Sequence, residues 1–321
     1  MSIRKAVSAV LAVALVGAFA SAAVAKDKHP GPGNGKPAKA PLVFTLQPDP
    51  AANPEGVAWD PVTRSFFVGS TGDGAIYQGT IGNPAVGVFI AGAAGKSAVG
   101  MKVFHGKLYV AGGSTGTITV YDIATKAVVA TFNTGAGGFL NDLVVTGHGD
   151  VYVTDSTRPI LWHVTRAQVN AGSGTPEAIS VDPEIAYQTG FNLNGIVALD
   201  NSKRLIVVQS NTGKLFRIDV RRNGGRRITQ VNANLLPGGD GMLISNGRLV
   251  VVQGGPPAQI TFLKLRGHAT RAKVEFVRTD PTLRGPSTIA RARNLFLVVN
   301  ADFATSQKPF TVVGLSRHGN H

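Results

Sequence analysis

The sequence predicts an all-β fold, a six-bladed β-propeller, on three observations. Helical periodicity is nearly absent, one strand-and-turn unit recurs six times, and the third strand of each unit starts at a near-constant offset. Short runs rich in Val, Ile, Leu, Tyr and Phe alternate with Gly-, Asn- and Ser-rich turns, the pattern of strands in close succession.

Ahead of the repeats, Arg4 and Lys5 precede an apolar stretch from Ala6 to Ala20, and Ala23-Val24-Ala25 supplies the small residues of a cleavage site. Residues 1–25 are therefore expected to be a signal peptide, cleaved before Lys26, and the mature protein to be secreted. Residues 26–41, KDKHPGPGNGKPAKAP, have almost nothing to bury and read as a flexible Pro/Gly/Lys-rich leader. Residues 42–321 then form one propeller domain.

The units open at Glu55, Val99, Asn141, Asn194, Asp240 and Pro286, spaced 44, 42, 53, 46 and 46 residues apart. A blade is a four-stranded sheet, and repeats of roughly 40–50 residues are its usual signature. The third strands fall at Ile76, Ile118, Leu161, Leu215, Ile260 and Phe310, which gives a second register in agreement with the first. Near-continuous apolar runs such as Leu205 to Val208 and Leu249 to Val252 suit strands buried on both faces. The segment Pro41 to Leu46 is expected to pair with Phe310 to Leu315 in the last blade, closing the ring and covering an open edge. The wider gap before Asn194 holds residues 166–190, expected to form a long loop over one end. A lone Trp59-Asp60 sits in the first turn of its unit, and no unit has the Gly-His start and Trp-Asp end of WD repeats.

The chain has no cysteine, which excludes disulfides, thiolate metal sites and a Cys nucleophile. Its net charge is +14, with arginines grouped at Arg217, Arg221, Arg222, Arg226 and Arg227 and again from Arg266 to Arg284. Such a surface is either simply solvated or attracts an anionic cell-surface polymer. No nucleic-acid-binding motif accompanies it, so nucleic acid is not an expected partner, and a monomer is expected.

Because the openings share one register, they should stand at one height near the start of the innermost strands. Asp, Glu and Asn together number 35 in 321, yet they hold four of the six openings: Glu55, Asn141, Asn194 and Asp240. Asn and Asp also cap turns through their own backbone, which enriches them at strand starts. As a set, two carboxylates and two amides converging on an axis offer the all-oxygen shell that hard cations prefer. No His stands at an opening, which argues against Zn²⁺ or Cu²⁺ on the residues alone. His105, His148 and His163 are expected on turns or strands, and Trp162 and Phe191 between blades.

PEGVAWD (54–60), ND (141–142), NGI (194–196) and DGM (240–242), in this order and spacing, resemble the senescence marker protein/gluconolactonase (regucalcin-like) family. The resemblance spans residues 44–315. It implies a six-bladed propeller with one divalent cation in the central channel, Ca²⁺ first, with Zn²⁺ or Mg²⁺ as alternatives. By motif, Glu55, Asn194 and Asp240 would ligate the cation and Asn141 would touch water or substrate. The implied activity is hydrolysis of a small lactone or ester, with Asp240 as general base. Two departures stand out. Phe139 occupies the place of the family's usual Arg, amid the small, apolar GAGGF, so a sugar acid is a poor expectation. The fifth unit reads LISNGRLVVV after its aspartate in place of the family's pattern there. A non-catalytic secreted propeller that binds a small molecule, polymer or protein remains the alternative.

Overall fold

In the computed structural model the described residues are 40–51, 53–200, 204–221 and 225–317. The signal peptide expected over 1–25, and all but the last two residues of the expected leader, lie outside the described residues.

Six four-stranded antiparallel blades follow in chain order. The first contains β2 (Pro54–Asp60), β3 (Ser65–Ser70), β4 (Ile76–Thr80) and β5 (Ala85–Ile90), preceded in sequence by β1 (Leu42–Leu46). The second contains β6 (Met101–Phe104), β7 (Lys107–Ala111), β8 (Thr117–Asp122) and β9 (Val128–Asn133). In the third, β10 (Leu140–Val145), β11 (Val151–Asp155) and β12 (Ile160–Val164) lead through the short α1 (Arg166–Ala171) to β13 (Glu177–Ser180). The fourth is β14 (Leu193–Leu199), β15 (Arg204–Gln209), β16 (Lys214–Val220) and β17 (Arg226–Gln230). The fifth is β18 (Gly239–Ser245), β19 (Arg248–Gln253), β20 (Gln259–Arg266) and β21 (Arg271–Arg278). The sixth takes β22 (Pro286–Ala292), β23 (Leu295–Asn300) and β24 (Thr311–Ser316) from the C-terminal end and β1 from the other.

That shared blade is the expected closure. β1 runs antiparallel to β24, with Leu42 opposite Gly314 and Thr45 opposite Thr311. On its far side Thr45 and Leu46 bridge in parallel to Ala85 and Val86 of β5, so β1 links the last blade to the first. Phe44 and Leu46 are buried there, and the Phe44 ring meets Phe66 edge-on at 5.0 Å.

The packing explains the composition. Six separate apolar clusters occupy the six interfaces between neighbouring blades, for example Phe67, Met101 and Leu108 between the first two and Leu161, Ile196 and Val207 between the third and fourth. The second strands β3, β11 and β23 are buried at every residue, because they face a neighbouring blade on both sides. The outermost strands alternate instead, as β21 shows, since one of their faces meets water. Burying each large apolar side chain contributes about 1.5–3 kcal/mol, so this core needs no covalent staple.

Residues 166–190 differ from the long loop expected. Thr165 and Gln168 form a capping box that starts α1, and Gly172 ends it in the left-handed conformation with φ 72°. The chain then supplies β13, the outer strand of its blade. The helix replaces a tight turn between the third and fourth strands, which accounts for the wider spacing. Phe191 also departs from expectation: it is 49% exposed, whereas Trp162 is buried. Asp60 closes the turn after β2, accepting hydrogen bonds from the Val62 and Thr63 amides and the Thr63 hydroxyl.

Candidate functional site

Each innermost strand carries a bulge at its start. In β2, Pro54 pairs with Ser70 and Val57 with Val68, which leaves the two residues Glu55 and Gly56 opposite the single Gly69. The same shift leaves Asn141-Asp142 in β10, Asn194-Gly195 in β14, Asp240-Gly241 in β18 and Ser287-Thr288 in β22. In the second blade Val99-Gly100 stands just before β6, with the Ala111 amide donating to Gly100. A bulge bends the strand and re-aims its side chains, and here six bulges stand at one height around one axis.

This geometry corrects the sixth opening: the residue in register with Glu55 is Ser287, whereas Pro286 is the paired residue before the bulge. It also explains the glycines that follow four of the openings, Glu55, Val99, Asn194 and Asp240. The second bulge residue abuts the next blade, and a Cβ on Gly56 would fall 2.0 Å from the Val99 carbonyl oxygen. The carbonyls freed from the ladders are captured across blades. Ser287 Oγ donates to the Glu55 oxygen at 2.9 Å, the Gly100 amide to Asn141 at 2.8 Å, and Thr154 Oγ1 to Asn194 at 2.7 Å.

The structure brings Glu55, Asn194 and Asp240 within interaction range of one another, and Asn141 takes the equivalent position in the third blade. Glu55, Asn141 and Asn194 are buried, with exposures of 6%, 4% and 6%, while Asp240 stays partly open. The Asn194 side chain and the Gly241 amide both donate hydrogen bonds to the Asp240 carboxylate. Burial, and then the negative charge of Asp142, nevertheless push the Asp240 carboxyl up to about 8. Glu55 is raised well above the usual carboxylate range, first by burial and then by the charges of Asp240 and Asp142. Asn141 Nδ2 donates to Ser156 Oγ at 3.0 Å, and that hydroxyl passes a hydrogen bond on to the Leu193 carbonyl.

Two members of the cluster lie outside the one-position-per-unit reading. Asp142, the second bulge residue of β10, is 3% exposed and makes the set three carboxylates. Lys102 of β6 reaches across to it, with Nζ 2.9 Å from Asp142 Oδ1. The signal for Asp142 was the ND pair itself, because a bulge presents two consecutive residues where a regular strand presents one.

The donor set fits a hard cation. Among the described residues no three His, Asp or Glu side chains are gathered closely enough to hold an ion by themselves, and any oxygen shell here would have to include the amides. Asn194 Oδ1 is buried and has no hydrogen-bond partner, a lone pair left for an electropositive ligand. A buried carboxylate whose proton affinity is raised by neighbouring carboxylates, as that of Glu55 is, also marks a place where positive charge is stabilised.

Beside the second and third openings stand Val99, Ser97 and Phe139. A methyl group on Gly113 would touch both Val99 Cγ2 and the Phe139 ring, and Phe139 meets Phe191 edge-on at 4.9 Å. Phe139 is placed by Asp155, a fully buried carboxylate that accepts hydrogen bonds from the amides of Phe139, Thr157 and Arg158, from Arg158 Nε and from Trp162 Nε1. Burial alone would raise the Asp155 pKa, but these donors hold it below the ordinary value. His105 and His148 sit in turns at the opposite ends of their strands, and His163 Nδ1 is 2.9 Å from Glu177 Oε2, so none of the three stands at the openings. Arg217 of the first basic group pairs with Asp219 at 2.7 Å and Arg226 with Glu184 at 3.0 Å, so part of that charge is structural.

No protein-family model matches the chain, and no curated protein matches it. Solved structures do share its fold. The major allergen Mala s 1 of Malassezia sympodialis is 13% identical with a TM-score of 0.65, over 88% of this chain and 99% of that one. A protein assigned as a gluconolactonase is 12% identical with a TM-score of 0.62, over 86% and 92%. A luciferin-regenerating enzyme is 13% identical with a TM-score of 0.61, over 87% and 96%. The chain is a β-propeller of the architecture these proteins share.

Proposed function

We propose that this is an exported, divalent-cation-dependent hydrolase of a small lactone or ester, with its site at the channel mouth. The observation that supports the reading is the ring of bulges, in which Glu55, Asn194 and Asp240 hold equivalent positions and Asn194 Oδ1 is left buried without a hydrogen-bond partner. The names of two structural neighbours, a luciferin-regenerating enzyme and a gluconolactonase, lend support, as does the motif resemblance.

Glu55, Asn194 and Asp240 would hold the ion, Ca²⁺ being the best match to an all-oxygen set. When bound, the ion supplies Lewis-acid polarisation of the substrate carbonyl. Asp240 takes a proton from the attacking water on whichever carboxylate oxygen is not engaged, as general base. Asn194 orients Asp240 through its hydrogen bond. Asn141 offers the substrate the amide N–H that it does not give to Ser156. Phe139 and Phe191 shape an apolar wall, so the substrate is a lactone or ester with a hydrocarbon portion and not a sugar acid.

Thermal unfolding of the mature protein in EDTA, Ca²⁺, Mg²⁺ and Zn²⁺ tests the reading, with Asp240→Ala as control. A ligand at 100-fold excess over its Kd stabilises by about 2.7 kcal/mol. A rise with one cation, lost in Asp240→Ala and accompanied by turnover in a lactone and ester screen, is the expected result. No response to any cation would overturn it. A second reading, favoured by the exposed Phe191 beside Phe139, is a non-catalytic propeller that binds an apolar small molecule, a protein or an anionic surface polymer. Cation binding without turnover would favour it.

A further inference from the structure

Lys102 breaks a pattern. At its register in the other five innermost strands stand Ala58, Val144, Val197, Leu243 and Ala290, all apolar. Only the second blade places a charge there, and its side chain is just 25% exposed. A lysine stem can lie along an apolar wall, but its ammonium needs a partner. Among the described residues, Asp142 is its ion-pair partner and none of the other channel-mouth carboxylates has one. The preceding Gly100 allows the approach, because a Cβ there would lie 2.5 Å from Asp142 Cα. Asp142 Oδ1 also accepts the Leu143 amide at 2.8 Å, while Oδ2 is buried without a hydrogen bond.

We propose that Lys102 is a resident cation of the channel and sets the charge that the mouth presents to metal. Three carboxylates converge there, Glu55, Asp142 and Asp240, and one ammonium answers them. With all three ionised, the remainder is two negative charges, which a single divalent ion cancels. Lys102 is thus a specificity-determining residue: it holds Asp142 as its own counter-ion, outside the ligand set, and matches the site to a doubly charged ion. The inference rests on the metal reading above.

Calorimetric titration of the folded mature protein with Ca²⁺ tests it, across wild type, Lys102→Met, Asp142→Asn and the double variant. These leave two, three, one and two net negative charges at the mouth, in that order. Since ligand charge count tunes Ca²⁺ affinity, Lys102→Met is expected to bind about tenfold tighter or more and Asp142→Asn about tenfold weaker. The double variant is expected to return to the wild-type affinity. If Lys102→Met fails to fold, the double variant must still bind about tenfold tighter than Asp142→Asn. A double variant as weak as Asp142→Asn would make Asp142 a ligand and overturn the proposal. Lys102→Met no tighter than wild type would overturn it as well. Ca²⁺ binding by Lys102→Met alone would mean that the lysine keeps the ion out, which overturns the matched-charge proposal together with the metal reading of the wild type. No binding by any of the four would overturn both.

Discussion

Gly195 lies so close to Asp240 that a Cβ on it would fall 2.1 Å from the Asp240 carbonyl oxygen. The backbone of the fourth blade therefore positions the key carboxylate of the fifth. Gly195→Ala is expected to destabilise the fold by about 1–3 kcal/mol, as overpacking does. It should also weaken cation affinity, because the strain displaces Asp240 itself. Urea unfolding and a Ca²⁺ titration check the two effects. A variant with lost stability and unchanged affinity would show that the contact is merely structural.

Thr154 ties two other openings together. Its hydroxyl lies 2.7 Å from the Asn194 oxygen and 3.1 Å from the Asp142 oxygen, and it receives the Asp142 amide at 3.1 Å. Thr154→Val keeps the shape and removes all three contacts, at a cost of about 1–3 kcal/mol for the buried groups left unpaired. Ca²⁺ affinity should fall with it, and Thr154→Ser should recover most of both losses.

In chelator, stability should fall as pH rises. The Asp240 carboxyl is near 8 in the folded protein and about 4 when unfolded, and Glu55 is shifted the same way. Between those values the native state holds protons that the unfolded state has released, so the slope of stability with pH is negative. The melting temperature in EDTA should therefore be higher at pH 5 than at pH 8. Asp240→Asn should flatten the dependence. A melting temperature that rises with pH in EDTA would contradict the shared-charge picture of the mouth.

Much of this molecule could be read from the chain. Five of the six openings and the six third strands fell in register because every blade repeats the same ladder, and strand spacing is visible in apolar periodicity. Glu55, Asn141, Asn194 and Asp240 were legible because each is the first residue of a bulge. Asp142 and Lys102 were not: one is the second bulge residue, the other lies two positions beyond Gly100, and their meeting depends on how neighbouring blades abut. Pro286 was misplaced by one position for a related reason, since a proline strand start looks like an opening until pairing with Asn300 assigns it to the ladder. Phe191 reads as core by composition, yet it lies on the rim, where the turn before β14 carries it.

Closure by β1 should dominate stability. Phe44→Ala is expected to cost about 3–5 kcal/mol, the usual range for a buried phenylalanine. Removing residues 42–46 would also bare the β24 edge, and exposed edges recruit other strands. Light scattering should show concentration-dependent self-association of that truncated chain, with the full-length protein unchanged.

The pairing of Leu42 with Gly314 has another consequence. The first and last strands of the ring are neighbours, so a short linker could join them and the chain could be cut elsewhere without removing any blade. A cut at the exposed turn His105-Gly106 would place the new termini far from the mouth. The order of blades around the axis would survive such a circular permutation, and the ring would no longer depend on a strand borrowed from the far end of the sequence.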